Sequence, residues 1–206
     1  DNKVVFATGP LTGTYAPTGG RYMVICKGPL PDAIACSNSG GYWGPELKFA
    51  GYDMVILEGK APRPVYLWIY NDHVELRDAS HVWGKTTEET EDTLRAETDP
   101  QARISGIGPA GENLCRLACV INDKSRAAGR SGVGAAVGAK NLKAIVVRGT
   151  KPPVAIDKDK AKGGLVWFRE HYDRAKDRFH TLGSASAVMA LEAGGILPTR
   201  NFRDGS

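Results

Sequence analysis

The chain has 206 residues, 42% of them hydrophobic, and its 27 basic and 23 acidic residues give a formal net charge of +4. This length suits one large domain or a domain and a half, and the composition is ordinary for a globular protein. The mild charge, without a run of Lys or Arg, argues against nucleic-acid binding. No apolar run approaches the roughly 18 residues that span a membrane.

The start of the chain and its cysteines bear on where the protein resides. The chain begins at Asp1 rather than Met and shows no signal peptide, so we expect a fragment or a processed product. Cys26, Cys36, Cys115 and Cys119 have no zinc or iron–sulfur spacing. The apolar neighbours of Cys115 and Cys119 predict two inert thiols on a buried segment. We therefore expect a reducing cytoplasm.

The first elements are strands separated by uncharged loops. Residues 3–8 and 21–26 are predicted as strands. The loop between them, residues 11–20, has no charge, which predicts that it packs against another part of the protein. Arg21 opens the second strand, and two interpretations stay open: a surface residue in a salt bridge, or a hydrogen-bond donor that faces a ligand.

A glycine-rich segment and a helix follow. Residues 36–44 are predicted as a small polar loop, in which Gly40 and Gly41 allow another group to approach the backbone closely. Pro45 indicates the start of a helix. The pair Thr86 and Glu89 fits a capping box that opens a second helix, ending near residue 98. Further short strands are predicted at residues 54–58, 65–70, 73–77, 103–107, 114–121 and 144–148.

The last quarter of the chain changes character and is predicted to be helical, over residues 157–180 and 184–193. Many short, mostly antiparallel strands followed by helices indicate an α+β fold. We place the boundary in the turn before residue 154, giving a β domain at 1–153 and the start of a helical domain at 154–206.

Residues 126–143 (RAAGRSGVGAAVGAKNLK) combine four glycines with cationic side chains and have no acidic or aromatic residue. Turns of backbone N–H groups bind anions, and nearby Arg supplies paired donors for phosphate oxygens. The spacing matches neither the phosphate loop nor the dinucleotide-binding turn. From the residues alone, a phosphate site and a small-residue packing turn with solvated charges remain equally acceptable.

Seven runs in order along the chain resemble the N-terminal domain of the tungsten-dependent aldehyde ferredoxin oxidoreductases. They are GPLTGT (9–14), APTGGR (16–21), NSGGYWG (38–44), ELKFAGYD (46–53), IGPAGEN (107–113), RAAGR (126–130) and KNLKAI (140–145). The resemblance implies two antiparallel β-sheets that form a pterin-binding saddle, followed by the start of a helical domain. It also implies a cofactor in which two dithiolene pterins bind one tungsten, with Mg²⁺ bridging their phosphates.

The resemblance assigns seven residues to this cofactor: Arg21, Asn38, Gly40, Arg126, Ala127, Gly129 and Arg130. It places Arg21 between the pterin and an iron–sulfur cluster. Asn38 and the backbone of Ala127 match positions linked to magnesium, a cation that prefers oxygen ligands. The remaining four match positions around the pterin and its phosphates. If residues 126–130 were helical, Arg126 and Arg130 would share a face.

The resemblance further implies an enzyme that oxidises aldehydes to carboxylates and passes electrons through a 4Fe–4S cluster to ferredoxin. The cluster ligands and general acid/base residues of that family lie in C-terminal domains outside this chain, so no residue here is predicted to be catalytic. A homodimer, the choice of tungsten or molybdenum, and the substrate stay open. Two alternatives also remain: a tungsten subunit that reduces benzoyl thioesters, and an isolated, non-catalytic cofactor-binding module.

Overall fold

The structure is a computed structural model that describes residues 2–30, 32–173 and 177–204. It has an α+β fold with two sheets, and the chain divides into two compact units, one up to Ala161 and the other from Lys162 onward. The first unit contains both sheets and the helices between and beside them, and the second is helical.

The first sheet has four antiparallel strands in the order β3-β2-β1-β4. They are β1 (Val4–Thr8), β2 (Tyr22–Lys27), β3 (Ile34–Ser39) and β4 (Met54–Leu57). Alternate side chains of β1, β2 and β3 are buried on the inner face, as the two-residue period of a strand requires. Residues 36–39 were predicted as a loop; this prediction is wrong, because they pair with β2 throughout.

The second sheet has six strands in the order β6-β5-β10-β7-β8-β9. They are β5 (Val65–Tyr70), β6 (His73–Asp78), β7 (Arg103–Gly106), β8 (Val120–Asn122), β9 (Arg126–Ala128) and β10 (Leu142–Arg148). The prediction of two purely antiparallel sheets is wrong for this sheet, because β10 runs parallel to β5. A parallel pair needs a long crossover, and residues 71–141 supply it.

The helices are α1 (Trp43–Phe49), α2 (Thr87–Glu97), α3 (Pro109–Glu112), α4 (Val133–Gly138), α5 (Lys158–His171), α6 (Arg178–Leu182) and α7 (Val188–Ala193). The capping box that opens α2 is confirmed: Thr86 accepts from the Glu89 amide, and the Glu89 carboxylate accepts from the Thr86 amide. The C-terminal helices are confirmed only in part, because the predicted helix 157–180 is two helices, α5 and α6, with non-helical backbone at residues 172–173 and 177. Residues 174–176 of the predicted helix 157–180 lie outside the described residues, and the predicted helix 184–193 begins as the 3-10 turn Gly183–Ala187.

Two hydrophobic clusters hold the first unit together. The larger lies between the sheets and includes α1 and α4; Trp43 is fully buried there, packs on the rings of Phe6 and Tyr22, and donates from Nε1 to the Ile145 carbonyl at 3.0 Å. The smaller lies on the other face of the six-stranded sheet, where Leu94 of α2 meets alternate residues of β5, β7 and β10. The central strands β5 and β10 contribute to both clusters and are therefore covered on both faces.

One predicted strand is mostly a turn. Residues 114–119 form turns and irregular backbone, and β8 starts only at Val120. Leu114 has a positive φ of 57°, which ends any extended run at that point. Cys115 is exposed and Cys119 half-buried, so the prediction of two thiols on a buried segment is wrong. Of the apolar residues around them, Leu114 and Leu117 are exposed, with 74% of Leu117 accessible, whereas Ala118 and Val120 are buried.

Candidate functional site

The seven candidate residues lie where the two sheets meet at their edges. β3 is an edge strand of the first sheet and β9 an edge strand of the second, and the two are in contact. The backbone N–H of Arg130 donates to the Ser37 hydroxyl at 3.0 Å, which ties the end of β9 to β3. The structure thus brings together residues from positions 21 to 130 of the chain.

The first sheet contributes Arg21, Asn38 and Gly40. Arg21 Nε donates to Asn38 Oδ1 at 3.0 Å. A Cβ atom on Gly40 would lie 3.3 Å from Arg21 Nη1, so the guanidinium lies over the glycine backbone. Arg21 is exposed and forms no ion pair with any residue that the structure describes. The salt-bridge interpretation of Arg21 finds no acidic partner among the described residues, and the interpretation as a donor that faces a ligand stays a prediction.

The second sheet contributes Arg126 and Ala127 on β9, with Gly129 and Arg130 directly after it; both arginines and Ala127 are exposed. Because Arg126 is in a strand and Arg130 opens a 3-10 turn, the expectation that they share a helical face is wrong. Arg126 instead reaches the glycine turn of the first sheet, since its Cγ would lie 3.3 Å from a Cβ on Gly41.

A cavity of about 260 Å³ lies between these strands, lined by Cys36, Ser37, Asn38, Ala127, Gly129 and Arg130. Four of these six residues are candidates from the sequence. Cys36 and Ser37 were missed because the segment was predicted as a loop. The two-residue period of a strand would have placed Cys36 and Asn38 on one face.

A buried polar network behind the cavity was also missed. Asn122, fully buried on β8, accepts from Tyr22 OH at 3.0 Å and from Ser39 Oγ at 2.7 Å, and Tyr22 OH also bonds Ser105 Oγ at 2.8 Å. Burial raises the pKa of the Tyr22 phenol far above its usual value, so the group is neutral at any physiological pH. Nothing in the local sequence signals a network that joins residues so far apart in the chain.

Residues 132–143 are mostly buried, as the interpretation of this stretch as a packing turn predicted. α4 is buried along its whole length, and a Cβ on Gly138 would lie 2.0 Å from the Gly111 carbonyl oxygen. The expectation of solvated charges is wrong for its lysines, because Lys140 and Lys143 are both buried. Lys143 contacts the Glu112 carboxylate and donates to the Lys85 carbonyl at 2.9 Å.

The donor set around the cavity suits an anionic ligand with polar ring edges. Three exposed guanidinium groups offer forked N–H donors for phosphate oxygens. The backbone at Gly40 and Gly129 has no side chain to hold a flat group away. Asn38 Oδ1 and the Ala127 carbonyl are neutral oxygen atoms of the kind that a hard cation prefers. The residues present therefore fit a phosphorylated pterin with an associated Mg²⁺.

Among the described residues, no group of three or more His, Cys, Asp and Glu residues is placed to hold a metal ion. No helix in the described ranges is both long and apolar enough to cross a membrane.

Comparisons with known proteins place the chain. The sequence profile described as "Aldehyde ferredoxin oxidoreductase, N-terminal domain" matches residues 1–149. The whole chain is 54% identical to the tungsten-containing aldehyde ferredoxin oxidoreductase of Pyrococcus abyssi and 50% identical to that of Pyrococcus furiosus, and covers 34% of each. The chain thus spans about a third of the length of these relatives.

A solved structure agrees with this placement. The active-site complex BamBC of benzoyl coenzyme A reductase, in complex with 1,5-dienoyl-CoA, superposes with a TM-score of 0.79 at 42% identity. The match covers 82% of this chain and 26% of that one. Together with the profile match over the β domain, these similarities show that the chain belongs to the aldehyde ferredoxin oxidoreductase family, as its N-terminal domain.

Proposed function

We propose that the chain is the tungstopterin-binding domain of an aldehyde:ferredoxin oxidoreductase. The observation that carries the proposal is the clustering of Arg21, Arg126 and Arg130 around residues 38–41, where two sheet edges meet beside a cavity. Guanidinium groups, and glycine backbone that no side chain covers, lie at the adjacent edges of the two sheets. This combination suits a flat, phosphorylated ligand. Family membership, with about 50% identity to tungsten enzymes, supports this choice of ligand.

Within this proposal each residue has a binding or orienting task. Arg126 and Arg130 hold phosphate oxygens, while Arg21, fixed by Asn38, orients the pterin nearest to it. Asn38 Oδ1 and the Ala127 carbonyl would hold Mg²⁺, directly or through water. Gly40 and Gly129 leave room for the ligand. When bound, the tungsten bis-pterin supplies the two-electron redox chemistry that converts an aldehyde to a carboxylate.

The proposal extends to the whole protein. In the whole enzyme a 4Fe–4S cluster would supply the electron transfer to ferredoxin, and its ligands and the acid/base residues would belong to C-terminal domains. We assign residues 1–153 to the cofactor-binding domain and residues 154–206 to the start of a helical region. The enzyme is proposed to act in the cytoplasm.

A second candidate function has the same cofactor-binding site but a different reaction. The benzoyl coenzyme A reductase complex shares this domain at 42% identity, so a reductase of aromatic thioesters would use the same residues. Higher identity to the aldehyde enzymes, 54% over the whole chain, favours aldehyde oxidation. Turnover of the full-length protein with simple aldehydes and with benzoyl thioesters separates the two. The isolated domain is expected to bind cofactor without turning over either substrate.

Metal and phosphorus analysis of the full-length protein tests the binding proposal. We expect tungsten or molybdenum together with pterin phosphorus in the wild type. The double variant Arg126→Ala, Arg130→Ala should lose most of both, since it removes two phosphate-binding forks. Arg63→Ala is the matched control, because its side chain is 72% exposed and far from the candidate residues in sequence and sheet position. Active wild-type protein that contains neither metal would contradict the proposal.

A further inference from the structure

We infer that Asn122 is a positioning residue, whose side-chain amide holds the Gly40–Tyr42 turn in the place that cofactor binding requires. This inference rests on the proposed function. Asn122 is not among the candidate residues and lines neither the cavity nor the exposed surface. It acts through the backbone of Gly40, which is a candidate residue.

The side-chain oxygen and nitrogen of Asn122 each take part in two hydrogen bonds. Its Oδ1 accepts from Tyr22 OH at 3.0 Å and from Ser39 Oγ at 2.7 Å. Its Nδ2 donates to the Gly40 carbonyl at 2.9 Å and to Asp123 Oδ2 at 2.8 Å. A primary amide offers two acceptor positions and two donors in one planar group. An ionised carboxylate of the same shape can accept but cannot donate to Gly40.

Asp123 closes the other side of the turn. Its Oδ2 accepts from the Tyr42 backbone N–H at 2.7 Å. Gly41 lies between the two contacts with φ of 98°, and a Cβ there would lie 2.2 Å from Asp123 Oδ2 and 2.8 Å from Asn122 Nδ2. The turn is therefore held at its carbonyl by Asn122 and at its amide by Asp123, with no space for a side chain at position 41.

The hydrogen bonds that Asn122 and Asp123 make with the Gly40–Tyr42 turn, here called the clamp, join the two halves of the candidate site. Asn122 lies on β8 directly opposite Arg126 on β9, while Ser39 and Tyr22 are paired neighbours in the first sheet. One buried side chain thus fixes the turn that follows Asn38 relative to the strand that carries Arg126. A binding site built from two sheets depends on supports of this kind, because a shift of about 1 Å is enough to weaken it.

Asn122→Asp in the full-length protein at pH 8 tests the inference. The substitution keeps the size and the acceptor oxygen but removes the donor to Gly40. It also places a second carboxylate beside Asp123, so Asn122→Leu is made as well; it has a similar size, adds no charge, leaves Asp123 in place and lacks the donor to Gly40 at any pH. Ser105→Ala is the matched control, since it removes a bond to Tyr22 in the same network without touching the turn.

The readout is the rate at which bound pterin and metal are lost from purified protein, measured beside the melting temperature of the cofactor-free form. We expect both Asn122 variants to lose cofactor about tenfold faster or more, the usual effect of removing a supporting contact. Ser105→Ala should stay within about twofold of the wild type. If Asn122→Leu retains cofactor as the wild type does, the donor to Gly40 is unnecessary and the inference is wrong.

Hydrogen exchange gives a test that needs no variant to fold. In cofactor-free wild-type protein, peptides covering Gly40–Tyr42 should be protected, because the clamp exists before the ligand binds. Exchange there at the rate of an unstructured peptide would overturn the inference. In Asn122→Asp, protection should fall about tenfold in this turn and remain in β2, a pattern that general destabilisation does not give. Wild-type protein without any pterin metal would contradict the proposed function, while this measurement would still decide on the clamp.

Discussion

At the scale of single residues, the glycines of this chain show which positions the sequence could explain and which it could not. Gly41 and Gly51 have nearly the same positive φ, 98° and 94°. Gly51 has no atom within 4 Å of the place that a Cβ would occupy, whereas Gly41 is enclosed by Asn122 and Asp123. Gly41 was predicted as a position that another group can approach closely, but only the fold reveals that the groups beside it are Asn122 and Asp123.

Gly41→Ala should therefore destabilise the protein more than Gly51→Ala. Both substitutions incur the cost of a side chain at positive φ, roughly 1–2 kcal/mol. Gly41→Ala additionally forces Asp123 away from the Tyr42 amide. Denaturant unfolding of both variants beside the wild type measures the difference, and Gly51→Ala serves as the control for backbone strain. Equal losses in the two variants would show that the clamp tolerates a methyl group.

The buried pair of Lys143 and Glu112 gives a second prediction at this scale. Burial lowers the pKa of Lys143, and the contact with Glu112 opposes that shift. Lys143→Met leaves the Glu112 carboxylate buried without its partner, which costs about 3–5 kcal/mol. Adding Glu112→Gln should recover most of the loss, since a neutral amide oxygen can still accept from the Gly84 amide. Unfolding by denaturant compares the single and double variants; no recovery in the double variant would mean that packing, not charge, dominates.

At the scale of elements, the sequence predicted those helices and strands whose signals are local. The capping box located α2, and alternating or continuous apolar runs located β5 and β10. β3 was missed because Cys36, Ser37, Asn38 and Ser39 have low strand propensity. They form a strand because β2 offers a pairing partner, and because the buried Ser37 and Ser39 find hydrogen-bond partners across the sheet edge. Tertiary pairing of this kind overrides local propensity.

Thr86→Ala should destabilise α2 by about 1 kcal/mol, because it removes the hydroxyl that accepts from the Glu89 amide at the helix start. Thr93→Ala is the matched control, since it makes the same chemical change inside the same helix, where Ala has the higher helix propensity. Thermal unfolding of the two variants distinguishes them. A loss in Thr93→Ala as large as in Thr86→Ala would show that the cap contributes little.

At the scale of the whole molecule, the site could not be predicted from local pattern alone. Arg21 and Arg130 come from different sheets, and their approach depends on strand order, which the sequence does not encode in any one segment. The family resemblance supplied the residue set. The parallel pairing of β5 with β10 was missed for the same reason, since two short strands far apart in the chain carry no sign of which partner each will take.

Both hydrophobic clusters lie between Val4 and Val147, whereas none of the described residues of α5, α6 and α7 is buried. A chain that ends at Ala161 should therefore keep the fold of the first unit. We expect a cooperative thermal transition within about 4 °C of that of the 206-residue chain, a shift that corresponds to roughly 1 kcal/mol at this size. Loss of the near-ultraviolet circular dichroism signal of Trp43 and Trp68 in the shorter chain would contradict this prediction.

The position of β10 has a consequence for synthesis. β10 is the last strand to be made, yet it lies inside the six-stranded sheet, between β5 and β7. The β5–β6 hairpin and the β7–β9 strands therefore cannot be joined until Leu142–Arg148 has left the ribosome. Until then both groups present unpaired edges and apolar faces, which slow folding and favour aggregation. A nascent chain that stalls before this strand will have made every candidate residue of the site, but the six-stranded sheet that carries Arg126 and Ala127 will be incomplete.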